Sequence, residues 1–257
     1  MMWMIVGGAP IINAAGEIAG SMGVFSDITT RKRAEEQLLH DAFHDALTGL
    51  ANRRLFMEHL KMTIERGSRG SGENLYAALF LDFDGFKVIN DSLGHAEGDK
   101  LLKNIAGWLE SSLRPGDLVA RLGGDEFTIL LGKIDDDKDA LQIAQRIQEN
   151  LKLPFELGGR EVFTSASIGI VLGASNANNQ AEEMLRDADI AMYRAISNGK
   201  ARYEVFDRQM HEHAINRLRL ETEMRQAIER GEFCVFYQPI IDIETNNLMG
   251  FEALIRW

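Results

Sequence analysis

The chain has a single cysteine, Cys234, and only four prolines among its 257 residues. One cysteine excludes an intramolecular disulfide, and no Cys/His cluster gathers the ligands of a structural zinc site. Cys234 is therefore read as a small buried apolar residue. Basic residues are also in short supply: 28 Lys and Arg stand against 39 Asp and Glu, a formal net charge of -11. That balance argues against a general nucleic-acid surface, because phosphate backbones select basic patches. It leaves room for a nucleotide pocket served by a divalent cation and a few local lysines. Long apolar runs are missing as well. No stretch approaches the ~18 apolar residues of a membrane span, so none is expected. Residues 1–6 are apolar without a basic segment, which predicts no signal peptide and makes a reducing cytoplasm the default location.

What is present centres on Arg121-Leu122-Gly123-Gly124-Asp125-Glu126-Phe127-Thr128-Ile129-Leu130-Leu131. Two glycines and two adjacent carboxylates interrupt what otherwise reads as a pair of apolar strands. Gly123 and Gly124 support a tight hairpin and leave nothing bulky over it. Asp125 and Glu126 supply the hard oxygen ligands that Mg²⁺ prefers. A bare hairpin turn would explain the tripeptide alone, but its neighbours carry more. Leu79-Phe80-Leu81-Asp82-Phe83-Asp84-Gly85-Phe86-Lys87 reads as a buried strand opening into a functional loop. If the two strands are adjacent, Asp82 and Asp125 converge on one cation, with Lys87 beside the same phosphates.

On these residues the chain resembles the GGDEF diguanylate cyclases, which condense two GTP molecules into cyclic di-GMP. The resemblance extends over Asp45 to Arg54, Phe86 to His95, Ser167 to Ile170 and Ala188 to Tyr193, in the family's order. It implies the fold of nucleotidyl cyclases and polymerase palms. The spacing of elements independently predicts an α/β sandwich around a mostly antiparallel sheet flanked by helices. Strands are expected at 75–81, 118–122, 127–131 and 162–172, with a short one near 203–206. Helices are expected at 53–66, 98–113, 138–151 and 181–197.

The resemblance implies roles for named residues. Asp82, the Phe83 carbonyl and Asp125 hold Mg²⁺, or Mn²⁺, and Glu126 completes the acidic cluster. Asp125 is the candidate base, and Lys87 stabilises charge on the phosphates. Gly85, Phe86, Gly123, Gly124 and Lys200 line the substrate. Asn90 and Asp99 match the guanine readers, and guanine's donors and acceptors suit a carboxylate and an amide. Without the motif they read as a helix C-terminal residue and a helix N-cap. Arg114 and Asp117 match an inhibitory RxxD site for product, with Arg121 added to it; a Pro-Gly turn between solvated charges is the alternative. Where the family commonly carries a lysine four residues before Lys200, this chain has Ile196. An active homodimeric cyclase is the leading reading. The rival is a weakened module that binds GTP or cyclic di-GMP and regulates a neighbouring phosphodiesterase.

The flanks resemble other domains. Residues 1–28, with apolar stretches at Ala9 to Asn13 and Gly16 to Phe25, read as a strand hairpin resembling the end of a PAS sensor. Residues 29–43 read as a linker helix with Leu38, Leu39, Ala42 and Phe43 on one stripe, either a dimer seam or an ordinary connector. The cyclase domain is expected at 44–207. Residues 208–257, a helix from about Met210 to Glu229 and then Phe233 to Trp257, resemble the start of an EAL phosphodiesterase. Too little of that barrel is represented to expect hydrolysis, although Glu252 matches one of its metal ligands.

Overall fold

In the computed structural model all residues are described except 1, 13, 15, 70–74 and 175–179. Met1 and Asn13 of the expected hairpin thus lie outside the described residues. The chain divides into two units, residues 1–206 and 207–257.

The first unit runs β1 (Met4–Ile12), β2 (Ile18–Asp27), α1 (Thr29–Phe43), α2 (Arg53–Arg69), β3 (Leu75–Asp84), α3 (Phe86–Leu93), α4 (His95–Ser112), β4 (Leu118–Gly123) and β5 (Glu126–Ile134). It continues through α5 (Asp137–Asn150), β6 (Phe155–Leu157), β7 (Arg160–Val162), β8 (Ser165–Ala174), α6 (Ala181–Ser197) and β9 (Tyr203–Val205). A five-stranded sheet has the order β4-β5-β3-β8-β9. Its pairings are antiparallel except for β8 with β9.

β3 is the centre of this sheet, and its ten residues are apolar nearly throughout because both faces are covered. Ala77, Leu79, Leu81 and Phe83 point to one face, where Leu101, Leu102 and Ile105 of α4 and Ile147 of α5 complete a cluster. Tyr76, Ala78 and Phe80 point to the other, against Phe56 and Leu60 of α2 and Met184, Leu185 and Ala188 of α6. The period of two therefore builds three layers from one strand. α6 lies almost on the backbone of β8: a Cβ on Gly169 would fall 1.9 Å from the Ala188 carbonyl oxygen. Only glycine permits that approach, and it sets the height of α6 over the sheet.

Several elements differ from the sequence reading. Phe86 and Lys87, expected in a loop, open the helix α3, which has Asn90 near its C-terminal end, and α4 starts at His95 rather than at residue 98. The strand expected from residue 162 begins at Ser165. Ahead of it stands the unexpected β6–β7 hairpin, turned by Gly158 and Gly159 at φ +57° and +77°. The hairpin β1–β2 is as expected, in register from Met4 opposite Asp27.

The second unit holds α7 (Arg208–Arg230), β10 (Cys234–Ile241) and β11 (Leu248–Arg256), the two strands pairing antiparallel. Asp207 caps α7 by accepting from the Met210 amide at 2.9 Å. Cys234 is exposed, contrary to the sequence expectation. Every residue of β10 is exposed, so no layer exists there in which to bury a thiol. No described helix is long and apolar enough to cross a membrane.

Candidate active site

The carboxylates meet at one end of the two central strands. Antiparallel pairing of β3 with β5 sets Asp82 directly opposite Glu126. The next residues toward β4 are the turn itself: Gly123 faces Glu126 across the hairpin, leaving Gly124 and Asp125 as its two central residues. Gly123 and Gly124 have φ +150° and +54°, and a Cβ at either would meet nothing within 4 Å. The glycines therefore serve backbone conformation and an open approach, not close packing.

Crowding of like charge marks this corner. Asp82 is pushed up to about 6, first by burial and then by the charges of Asp125, Asp84 and Glu126, with Lys200 opposing. Burial also raises Glu126, reinforced by Asp189 and Asp125 and opposed by Arg53. Asp189, on α6, is raised by desolvation against the pull of Arg53. Sequence reasoning did not assign Asp189 or Arg53. Among the described residues no three His, Cys, Asp or Glu side chains already form a closed metal cage. The donor set still fits a hard divalent cation: half-buried carboxylates repel one another, and an ion with 2+ charge relieves that repulsion.

The residues expected to meet phosphate and base lie on the segments that follow β3 and α6. Gly85, at φ +79°, turns the chain from β3 into α3, with Phe86 and Ile89 buried beneath. Lys87 is exposed on the first turn of α3, and Lys200 is exposed beyond α6. The helix does not extend to Lys200. α6 ends at Ser197, and Lys200 and Ala201 adopt left-handed φ values of +63° and +50°. Ile196 packs against the cluster beneath α2 and α6. Ile196 is thus in the last turn of α6 and Lys200 beyond its end, so the two positions do not share a helical face.

Asn90 lies near the end of α3, its carbonyl accepting from the Gly94 amide at 2.9 Å. Its Oδ1 is buried with no hydrogen-bond partner. Asp99 is exposed inside α4, whose N-cap is Gly94, so the N-cap alternative falls away. The residue before it, Gly98, makes room for Asn90: a Cβ there would lie 1.9 Å from Asn90 Oδ1. A sequence pattern showed Gly98 only as part of a helix.

A second polar location lies at the opposite end of β4. The buried Asp117 carboxylate is raised by desolvation, with the Arg114 guanidinium, 3.4 Å away, pulling against it. Both line a cavity of ≈ 430 Å³ with Arg146 and Gln142 of α5. Arg146 was not singled out from sequence, since only the packing of α5 brings it to Arg114. Arg121 is elsewhere. Its guanidinium donates to both oxygens of Asp45 and, through Nε and Nη2, to the Gly124 carbonyl at 3.0 and 2.8 Å.

With this geometry in place, comparison with known proteins is informative. The family model described as diguanylate cyclase, GGDEF domain, matches residues 42–202, and the EAL domain model matches residues 221–257. The bifunctional diguanylate cyclase/cyclic di-GMP phosphodiesterase MucR of Pseudomonas aeruginosa is 38% identical over 229 residues, covering 89% of this chain and 33% of MucR. The chain thus spans about a third of that relative's length. The crystallised GGDEF domain of TpbB (YfiN) from Pseudomonas aeruginosa is 40% identical, with a TM-score of 0.63 over 66% of this chain and 98% of that one. A microbial GGDEF domain solved to show its interaction with cyclic di-GMP is 28% identical, with a TM-score of 0.55 over 65% of this chain and 99% of that one. The acidic hairpin, the sheet that presents it and these matches together lead to one conclusion: the chain belongs to the GGDEF diguanylate cyclase family and carries a short EAL-domain segment after it.

Proposed function

We propose that the chain condenses two GTP molecules into cyclic di-GMP and two pyrophosphates, working as a homodimer in which each half-site holds one GTP. The observation that carries this reading is the convergence of Asp82, Asp125 and Glu126 on an open glycine turn, with Asp82 raised to about 6 by burial and mutual repulsion. Asp82, the Phe83 carbonyl and Asp125 would hold Mg²⁺ or Mn²⁺, and the ion supplies charge neutralisation for the triphosphate.

The residues of the chain divide the remaining work. Lys87 and Lys200 bind the phosphates, and Gly85 and Gly124 let them approach the backbone. Asp99 accepts from the N1–H and N2–H of guanine. Asn90 packs its amide oxygen over Gly98 and offers its amide to the acceptors of guanine. Asp125 takes the proton of the 3′-hydroxyl as that oxygen bonds to the α-phosphorus of the facing GTP. The bond from that phosphorus to the pyrophosphate oxygen breaks, and pyrophosphate leaves. The same exchange in the opposite direction closes the ring. Arg114 and Asp117, with Arg146 across the cavity, bind product and arrest the enzyme.

Residues 1–28 then serve as the end of a PAS-like sensor, 29–43 as the signalling helix and 44–207 as the catalytic domain in the cytoplasm. The test is incubation of the chain with GTP and Mg²⁺, followed by chromatography for cyclic di-GMP. Asp125→Ala is the control, expected to retain less than about a tenth of the rate with an unchanged melting temperature, because a turn carboxylate serves the site and not the core. Absence of product from the wild-type dimer sinks the reading.

A further inference from the structure

Asp84 has no part in the reaction described above, yet its carboxylate is held by three donors. Oδ2 accepts from the Ser165 hydroxyl at 2.7 Å and from the Ala201 backbone amide at 3.1 Å, and Oδ1 accepts from the Ser167 hydroxyl at 2.9 Å. Its main-chain carbonyl accepts from the Thr164 hydroxyl at 3.2 Å. Ser167 is fully buried, so its hydroxyl has this carboxylate and not water as its acceptor. Asp82 stands two residues earlier on the same face of β3. Its carboxylate has no hydrogen-bond donor among the described residues. The two carboxylates therefore differ in kind: one is open to a ligand, and the other is committed to the protein.

What Asp84 holds is unusual backbone. Lys200 and Ala201 are consecutive L residues in the left-handed region, a conformation that persists only where its surroundings over-determine it. On one side the Lys200 amide donates to the Ala195 carbonyl at 3.0 Å, and on the other the Ile168 amide donates to the Arg202 carbonyl at 2.9 Å. Asp84 supplies the bond between them. The exposed Lys200 follows directly on the end of α6, and the Ala201 amide bond to Asp84 joins its turn to the strand that carries Asp82.

We propose that Asp84 is a positioning residue that ties Ala201 to the sheet and thereby aims Lys200 at the triphosphate. The proposal rests on the reading that Lys200 binds phosphate, and the experiment separates the two. Binding of a non-hydrolysable GTP analogue with Mg²⁺ is measured by calorimetry for wild type, Asp84→Asn, Lys200→Ala and the double variant, and amide exchange at Ala201 is followed in the wild type and Asp84→Asn. Asp84→Asn is expected to weaken binding by about fivefold or more in the wild-type background and by less than about twofold when Lys200 is already alanine. Ala201 exchange is expected to accelerate. Equal losses in both backgrounds mean that Asp84 acts through the charge at the acidic corner, and they overturn the proposal alone, as does unchanged exchange at Ala201. A Lys200→Ala chain that binds as tightly as wild type overturns the phosphate reading and the proposal together. Ser165→Ala, which removes one donor from Asp84 without changing charge, is expected to give the same pattern more weakly. It serves if Asp84→Asn fails to fold, and a Ser165→Ala loss that persists undiminished without Lys200 overturns the proposal.

Discussion

Arg121 and Asp45, 76 positions apart, meet as a two-point ion pair in which Nη1 lies 2.9 Å from Oδ1 and 3.0 Å from Oδ2. Burial alone would raise Asp45, but the Thr48 hydroxyl and Arg121 outweigh it and hold the carboxyl below its ordinary value. The rest of the guanidinium grips the Gly124 carbonyl, so a residue two positions beyond α1 is tied to the glycine hairpin.

Replacing this fork tests its role. Arg121→Lys keeps the charge and loses the planar geometry. A broken, largely buried pair of this kind costs about 1–3 kcal/mol, which corresponds to a fall in melting temperature of about 2–4 °C per kcal/mol. Synthesis should slow several-fold while the product-inhibition curve keeps its midpoint. A shifted midpoint would assign Arg121 to the inhibitory site.

The raised Asp82 makes stability and function oppose each other. Below its unfolded value, near 3.8, this carboxyl is neutral in both states and its contribution to stability is complete. As pH rises toward about 6 the unfolded chain releases its proton first, so that contribution is lost, and it stays lost above the folded value. Metal-free Asp82→Asn should therefore melt higher than wild type at pH 7.5 and at the same temperature at pH 4, while making no cyclic di-GMP. Equal melting temperatures at pH 7.5 would show that the acidic corner is not strained.

For the RxxD cavity, Arg146→Ala is the informative variant. If Arg146 shares a ligand with Arg114, either alanine substitution should weaken product inhibition by roughly tenfold or more, the worth of a charge-assisted contact. Initial rates should not change, since both arginines stand away from the acidic corner. Inhibition that weakens for Arg114→Ala alone would remove Arg146 from the site.

Gly98→Ala separates helix propensity from substrate fit. Alanine inside α4 gains up to ~1 kcal/mol of helix stability over glycine. Its Cβ, however, collides with Asn90 Oδ1, the end of a side chain that can rotate away. The fold should tolerate the change, with a melting temperature at or above that of wild type. KM for GTP should rise about tenfold as the base reader is displaced. An unchanged KM would show that Asn90 does not contact the base.

Much of this architecture is legible in the sequence where burial is two-sided. β3 and β5 read as apolar runs because both faces are covered, and their carboxylates stand out at the ends for the same reason. α3 is harder to see, since Asn90, Asp91 and Ser92 are weak helix formers and the element is held by Phe86 and Ile89 beneath it. β6 and β7 are three residues each, too short for an alternation to register. α6 ends at Ser197 as its pattern predicts, but the left-handed turn that carries Lys200 beyond it has no signature in the sequence. Arg121 and Asp84 stand inside the legible motifs, but their partners do not show in the sequence, and Arg146 stands in no motif. Their contacts join segments far apart in the chain: Arg121 meets Asp45, 76 residues away, Arg146 donates to the Ser112 carbonyl, 34 away, and Asp84 accepts from Ala201, 117 away.

The strand order has a consequence for how this protein fails. β3 is enclosed on both sides, whereas β9, which follows Lys200, is a three-residue strand on the rim with a single neighbour. On gentle heating the rim should detach before the interior, since opening costs least where fewest neighbours must be given up. Grip on the nucleotide would then fade while the carboxylates of β3 and β5 still stood in register. An ageing preparation would first demand more substrate and only later lose its maximal turnover.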